Sequence, residues 1–168
     1  MLEGGVVFKV EIHTEELDEF AKDLEKELKS VKGAKAGWYK GQKYPDKETK
    51  GKKKIGGIEI AKNALIQEYG TDKIPPRPFM RRTIEKHQKE WIKFLNENFD
   101  AELNNNVTLE QIMRKIGAIM AGDMKKTIGE NLPPPNAPET IKRKGGRTHT
   151  LEDTLLMKNS IHSGVIKK

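Results

Sequence analysis

The chain reads as helix-rich α+β, a small antiparallel sheet of three or four short strands packed with two or three long helices. Two apolar stripes at spacings of three and four residues, one over 80–99 and one over 109–128, predict two of the long helices. Short apolar or alternating runs at 6–12, 37–39, 55–60 and 161–166 supply the strands. A length of 168 residues fits one domain, but only 35% are apolar while 34% are charged, so the core must be lean. That balance favours an extended or assembly-dependent shape.

Taken in order, Val6 to Ile12 alternates from Phe8 onward and predicts a first strand. Thr14 then caps a helix whose stripe is Leu17, Phe20, Ala21, Leu24, Leu28 and Val31, with Glu15 and Glu16 at the positive end of its dipole and Gly33 as its stop. Gly37-Trp38-Tyr39 and Ile55 to Ile60 are predicted to pair as a half-buried hairpin across a basic loop of about residues 40–54. The same Trp38 and Tyr39 would also suit the edge of a nucleic-acid groove. Ala61 to Tyr69 reads as a short helix closed by Gly70.

A helix of about five turns follows, striped by Met80, Ile84, Trp91, Phe94, Leu95 and Phe99 and broken at Asn104 to Asn106. Thr108 with Gln111 forms a capping box for the next helix. Its stripe is Leu109, Ile112, Met113, Ile116, Ile119, Met120, Met124 and Ile128. The methionines admit an adaptable groove as well as core packing. The last part, residues 133–168, opens on a stiff Pro133-Pro134-Pro135 connector. It continues through a short helix over Glu139 to Lys144, a second short helix from Leu151, and a terminal strand near Ile161 to Ile166.

The segment between the short and long helices is the most constrained. Pro75, Pro76 and Pro78 fix φ, remove backbone donors and push their predecessors into extended backbone, so residues 71–79 form a stiff arm. It carries one permanent cation, Arg77, and one aromatic, Phe79. Such residues are favoured interface anchors, so Tyr69, Pro75, Pro76, Arg77, Pro78 and Phe79 are expected to form an assembly interface. The competing expectation is that Phe79 plugs the chain's own core.

The net charge of +7 is concentrated in two places. Seven lysines against two acids give +5 over residues 40–54, and Lys142, Arg143, Lys144 and Arg147 give +4 over 142–149. Lys50, Lys52, Lys53, Lys54, Lys142, Arg143 and Lys144 are therefore the candidates to face DNA, since such patches attract phosphate without reading sequence. A merely solvated lysine loop is the alternative.

Catalytic groups are sparse. His13, His87, His149 and His162 lack ligand spacing, and with no cysteine there is neither a disulfide framework nor a thiolate metal site. No glycine motif cradles a phosphate. No enzyme activity, metal, cofactor or small-molecule substrate is expected. Neither a secretory signal nor a membrane-length apolar run is found, which points to cytoplasmic synthesis and no membrane partner.

Three ordered segments resemble a known family: Ala64-Leu65-Ile66-Gln67-Glu68-Tyr69-Gly70-Thr71 with the arm Ile74 to Met80, Pro135-Asn136-Ala137-Pro138-Glu139-Thr140-Ile141-Lys142-Arg143-Lys144-Gly145, and Asp153-Thr154 with Leu156 and Asn159-Ser160-Ile161. Together they are similar to the tail-completion or neck proteins of long-tailed bacteriophages, including the Mu-type virion morphogenesis group. The resemblance spans about residues 55 to 164. It implies a structural virion protein, made in the bacterial host cytoplasm, that forms a ring of six, finishes the tail tube and helps join it to the head. Its partners would be copies of itself, tail-tube and connector proteins, and the genomic DNA passing through the lumen. Two positions depart from the family pattern, which usually has proline at Thr150 and glycine at Leu155. Two other classes stay open: a nonspecific DNA-binding protein using the basic loops, and a cell-wall hydrolase.

Overall fold

The computed structural model describes residue 19 and residues 21–23, 25–26, 29–45, 57–103, 107–152 and 155–167. Strand β1 spans Val31–Gly37 and pairs antiparallel with the C-terminal strand β2, His162–Lys167. Between them come α1 (Ile60–Tyr69), α2 (Phe79–Leu103), α3 (Leu109–Ile128), α4 (Pro138–Arg143) and α5 (Leu156–Asn159). The α+β class holds, with a sheet of two strands rather than three or four among the described residues.

Two predicted elements are corrected. The helix expected to run to residue 31 gives way to β1 at Val31, and the strand expected at 37–39 lies earlier, ending at Gly37. Among the described residues the predicted hairpin shows one bridge, Lys43 with Glu59, held by Tyr44 N–H to Ile58 O at 3.1 Å and Ile60 N–H to Gln42 O at 2.8 Å. The strand predicted at 6–12 lies outside the described residues, as does most of the predicted stripe of the helix that follows it.

β1 forms from Val-Lys-Gly-Ala-Lys-Ala-Gly, a composition with little strand propensity. Helix α3 lies close against the sheet, and the glycine that allows it is on the helix. A Cβ placed on Gly117 of α3 would sit 3.4 Å from Ser163 Cβ and 3.5 Å from the Lys35 carbonyl oxygen. Helix α3 starts at the predicted capping box: Gln111 N–H donates to Thr108 Oγ1 at 3.3 Å, and Thr108 N–H to Gln111 Oε1 at 3.1 Å. It buries Leu109, Ile112, Ile116, Met124 and Ile128 as its stripe predicts, whereas Ile119 is exposed.

Helix α2 packs along α3, but its core-facing residues are only partly the predicted ones. Phe79 and Thr83 are fully buried, while Ile84 is 49% exposed and Trp91, Phe94, Leu95 and Phe99 are half-buried. Trp91 Nε1–H donates to Asp123 of α3 at 2.9 Å. The main core lies where the first turn of α2, the last turns of α3, α1 and α5 meet: Ile60, Ala64, Phe79, Met124, Ile128, Leu132, Leu151, Met157 and Ile161. No helix among the described residues is long and apolar enough to cross a membrane.

Candidate functional site

The proline arm turns back on the helix that precedes it. Gly70 ends α1 at φ 75°, and a Cβ there would lie 2.7 Å from the Ile74 carbonyl oxygen and 2.8 Å from Pro76 N, so only glycine fits the turn. Thr71 and Ile74 exchange backbone hydrogen bonds of 2.8 and 3.2 Å, and Arg77 N–H returns to Gln67 O at 2.6 Å. Glu68, 1% exposed, then reaches the start of α2. Its carboxylate accepts from Met80 N–H at 2.8 Å and Arg81 Nε–H at 2.9 Å. A carboxylate at the first turn satisfies donors the helix cannot and complements its dipole. The Arg81 guanidinium also stands over the Tyr69 ring, 5.2 Å from its centroid.

Arg77 and Phe79 point inward. Phe79 is 0% exposed and meets Trp38 edge-on at 5.9 Å, while Trp38 Nε1–H donates to Met157 O at 2.7 Å. Trp38 is thus part of the core wall rather than a stacking platform, and Tyr39 alone of the pair is exposed. Arg77 is 5% exposed and donates to the carbonyl oxygens of Pro134 at 2.9 Å and Pro135 at 3.3 Å, to Gln67 Oε1 at 3.3 Å and to Asn136 Oδ1 at 3.4 Å. The physical reason lies in the proline run, which has carbonyl acceptors but no backbone donors, so the five-donor fork of an arginine satisfies it from outside. Burial lowers the Arg77 pKa from its ordinary value.

The expectation that Arg77 and Phe79 offer their side chains to a neighbour is therefore corrected: both are spent on their own chain. Tyr69, Pro75 and Pro76 do remain exposed, Tyr69 at 66%, and Pro78 is half-buried.

Asn136 carries the same frame onward, donating from Nδ2 to the carbonyl oxygens of Thr148 at 3.1 Å and His149 at 3.0 Å. Lys144 closes it. Its ammonium, in a residue 8% exposed, donates to the carbonyl oxygens of His149, Thr150 and Glu152 at 2.9, 3.2 and 3.1 Å. Lys144 is thus corrected from a cation facing DNA to an internal clamp, because the three donors of one ammonium gather three carbonyls of the same turn. Lys142 and Arg143 are exposed; Lys50, Lys52, Lys53 and Lys54 lie outside the described residues.

These pieces enclose a cleft of about 360 Å³ between the C-terminal end of α1, the arm, α4 and the segment into α5. Gln67, Ile74, Pro75 and Arg77 form one wall, Asn136, Thr140 and Arg143 a second, and Thr150, Leu151, Leu155 and Met157 the third. Leu155 stands at φ 58°, a left-handed conformation that favours glycine, and Thr150 N–H donates to Asn131 Oδ1 at 2.9 Å. Sequence reasoning found these segments but not their meeting; Gly70, needed for the turn, and the proline run were the local signals.

His87, singled out in the sequence, sits on α2 with Nδ1 2.9 Å from Glu90 and 4.0 Å from Asp123. Burial opposes ionisation of Asp123. Hydrogen bonds from Trp91 and Lys126 and the charges of His87 and Lys126 outweigh it, and its pKa falls below the ordinary value. No family model, curated protein or solved structure matches the chain.

Proposed function

We propose that the chain is a structural component of a long-tailed phage or phage-tail-like particle, a tail-completion or neck protein at the tail end or head–tail junction. It works without catalysis, as a ring of six that contacts tail-tube and connector proteins and passes genomic DNA through its lumen. One observation carries this reading. The three separated segments that resemble the family all contribute to one cleft, the third through Leu156. Arg77 of the first joins Pro135 and Asn136 of the second with hydrogen bonds spanning up to 59 residues of sequence, and Asn136 and Lys144 hold the turn over 148–152 that precedes the third. A resemblance of scattered short motifs gains weight when those motifs form one physical unit.

Support of a second kind comes from α2, whose apolar stripe is left half-buried by its own chain with Ile92 57% exposed, as suits a part completed by neighbours. The DNA-binding alternative draws on the exposed Lys40, Lys43, Lys142 and Arg143. Salt separates the two: affinity for a phosphate backbone drops steeply as salt rises, whereas localisation to a tube end through protein contacts persists. Mass photometry and negative-stain imaging with isolated tail tubes test the proposal. Rings seated at tube ends are expected; a chain that stays monomeric on tubes and never localises to their ends would sink it.

A further inference from the structure

The described lining of the cleft is cationic. Among the described residues, Lys73, Arg77, Arg143 and Lys144 line it and no acidic residue does. Arg77 and Lys144 are held within the chain, which leaves Lys73 and Arg143, both exposed. Arg77 is met only by neutral oxygens, and among the described residues neither Lys73 nor Arg143 has an ion-pair partner. Thr150, only 6% exposed, lines the same cleft with its Oγ1 lacking any hydrogen-bond partner. Buried hydroxyls are ordinarily satisfied, so this one marks a place where an outside group belongs. Ile74, Pro75 and Leu155, the last 45% exposed, give the mouth an apolar side. The fitting occupant is anionic and amphipathic.

The chain itself carries such a segment. Residues 11–30 hold eight acidic residues against three lysines, a net charge of −5. Glu16, Glu19, Asp23 and Glu27 recur at helical spacing beside the apolar column Leu17, Phe20, Leu24 and Leu28. The described residues between 19 and 30 are helical, and every one is exposed, Glu19 and Asp23 included.

We infer that the cleft receives the acidic segment of residues 11–30 from a second copy of this chain, with Lys73 and Arg143 pairing its carboxylates across an apolar seat. At about 360 Å³ the cleft holds a few side chains, so only a short part of the segment enters it. Cleft and segment are different surfaces, and a heterologous contact of this kind closes into a ring when its rotation allows. The inference rests on the ring proposed above and supplies the contact that would build it.

Sedimentation velocity of the full chain, at low and high salt and over a wide concentration range, tests it. The wild type should associate, more weakly in high salt. Lys73→Glu with Arg143→Glu, or Glu19→Lys with Asp23→Lys, should each weaken association at least about tenfold, the scale of one lost charge contact. All four changes in one chain should restore it, and a mixture of the two double variants should pair with each other. All four positions are exposed, so the fold should survive; circular dichroism checks this, and glutamine at the same positions serves if a reversal unfolds the chain. A wild type that stays monomeric, association indifferent to the cleft reversal, or a fourfold variant that fails to recover would each overturn the inference. So would inorganic phosphate binding to the cleft without any self-association, which would make it a simple anion pocket. Rings that form in solution but ignore tail tubes would leave the docking intact and remove the virion role; monomers that nonetheless seat on tube ends would do the reverse.

Discussion

Arg77 brings a full charge to a place where only neutral oxygens receive it, and its value to the fold is its geometry. A planar fork reaches the carbonyls of Pro134 and Pro135 and the amide oxygens of Gln67 and Asn136 together. Arg77→Ala should therefore lower stability by about 2 to 3 kcal/mol, the scale for hydrogen bonds to a charged group and for acceptors left unmet. Arg77→Lys should recover little of it. Phe79→Ala should cost about 3 to 5 kcal/mol, as expected for an aromatic wholly inside the core. Urea unfolding of the isolated chain measures all three; losses confined to assembly, with stability intact, would return Arg77 and Phe79 to an interface role. At Asp123 the sign follows from its lowered pKa. The unfolded chain takes up the proton first, so the stabilisation this carboxylate gives is present above its ordinary pKa and fades as pH falls below about 4. Asp123→Asn should flatten the acid limb of the stability profile and leave its neutral region lower but level, which unfolding midpoints between neutral and acid pH would reveal.

Elements with strong local signals were legible from sequence. The stripe and capping box of α3 and the glycine stop of α1 stand where expected, because propensity, cap and packing agree there. β1 was not legible: it has little strand propensity and is defined by its pairing with β2 at the far end of the chain and by the close approach of Gly117 of α3, tertiary demands with no local trace. The inward turn of the arm was hidden for a similar reason, since the partners of Arg77 at Pro134 to Asn136 lie 57 to 59 residues away. The two departures from the family pattern, in contrast, acquire a physical meaning. Leu155 holds φ 58°, which costs a non-glycine residue about 1 to 2 kcal/mol, against about 0.5 to 1 for the added freedom of glycine when unfolded. Leu155→Gly should thus be neutral or stabilising by up to about 1 kcal/mol. Thr150→Pro should instead destabilise by about 1 to 3 kcal/mol, because it removes the N–H that Asn131 Oδ1 accepts. Denaturant midpoints of both variants at unchanged slope decide this; a stabilising proline would mean that Asn131 is not the partner that matters.

At the scale of the whole molecule, α3 is buried along its length, from Leu109 to Ile128, whereas α2 is buried chiefly at its start. The first turn of α2 sits deep in the core, but along the rest of that helix Trp91, Phe94, Leu95 and Phe99 are half-covered and Ile84 and Ile92 face outward. A cleft whose described lining holds the exposed cations Lys73 and Arg143 and no acid adds a second incomplete surface. Both are what an assembly part would carry, and the proposed particle would supply the neighbours. The most direct measurement is electron microscopy of particles produced without this protein and after its return in trans. Loss of the neck, unjoined heads and tails, or tails of uncontrolled length, each reversed on return, is the predicted result. Complete particles with normal necks, tail lengths and head–tail joints would contradict the proposed role.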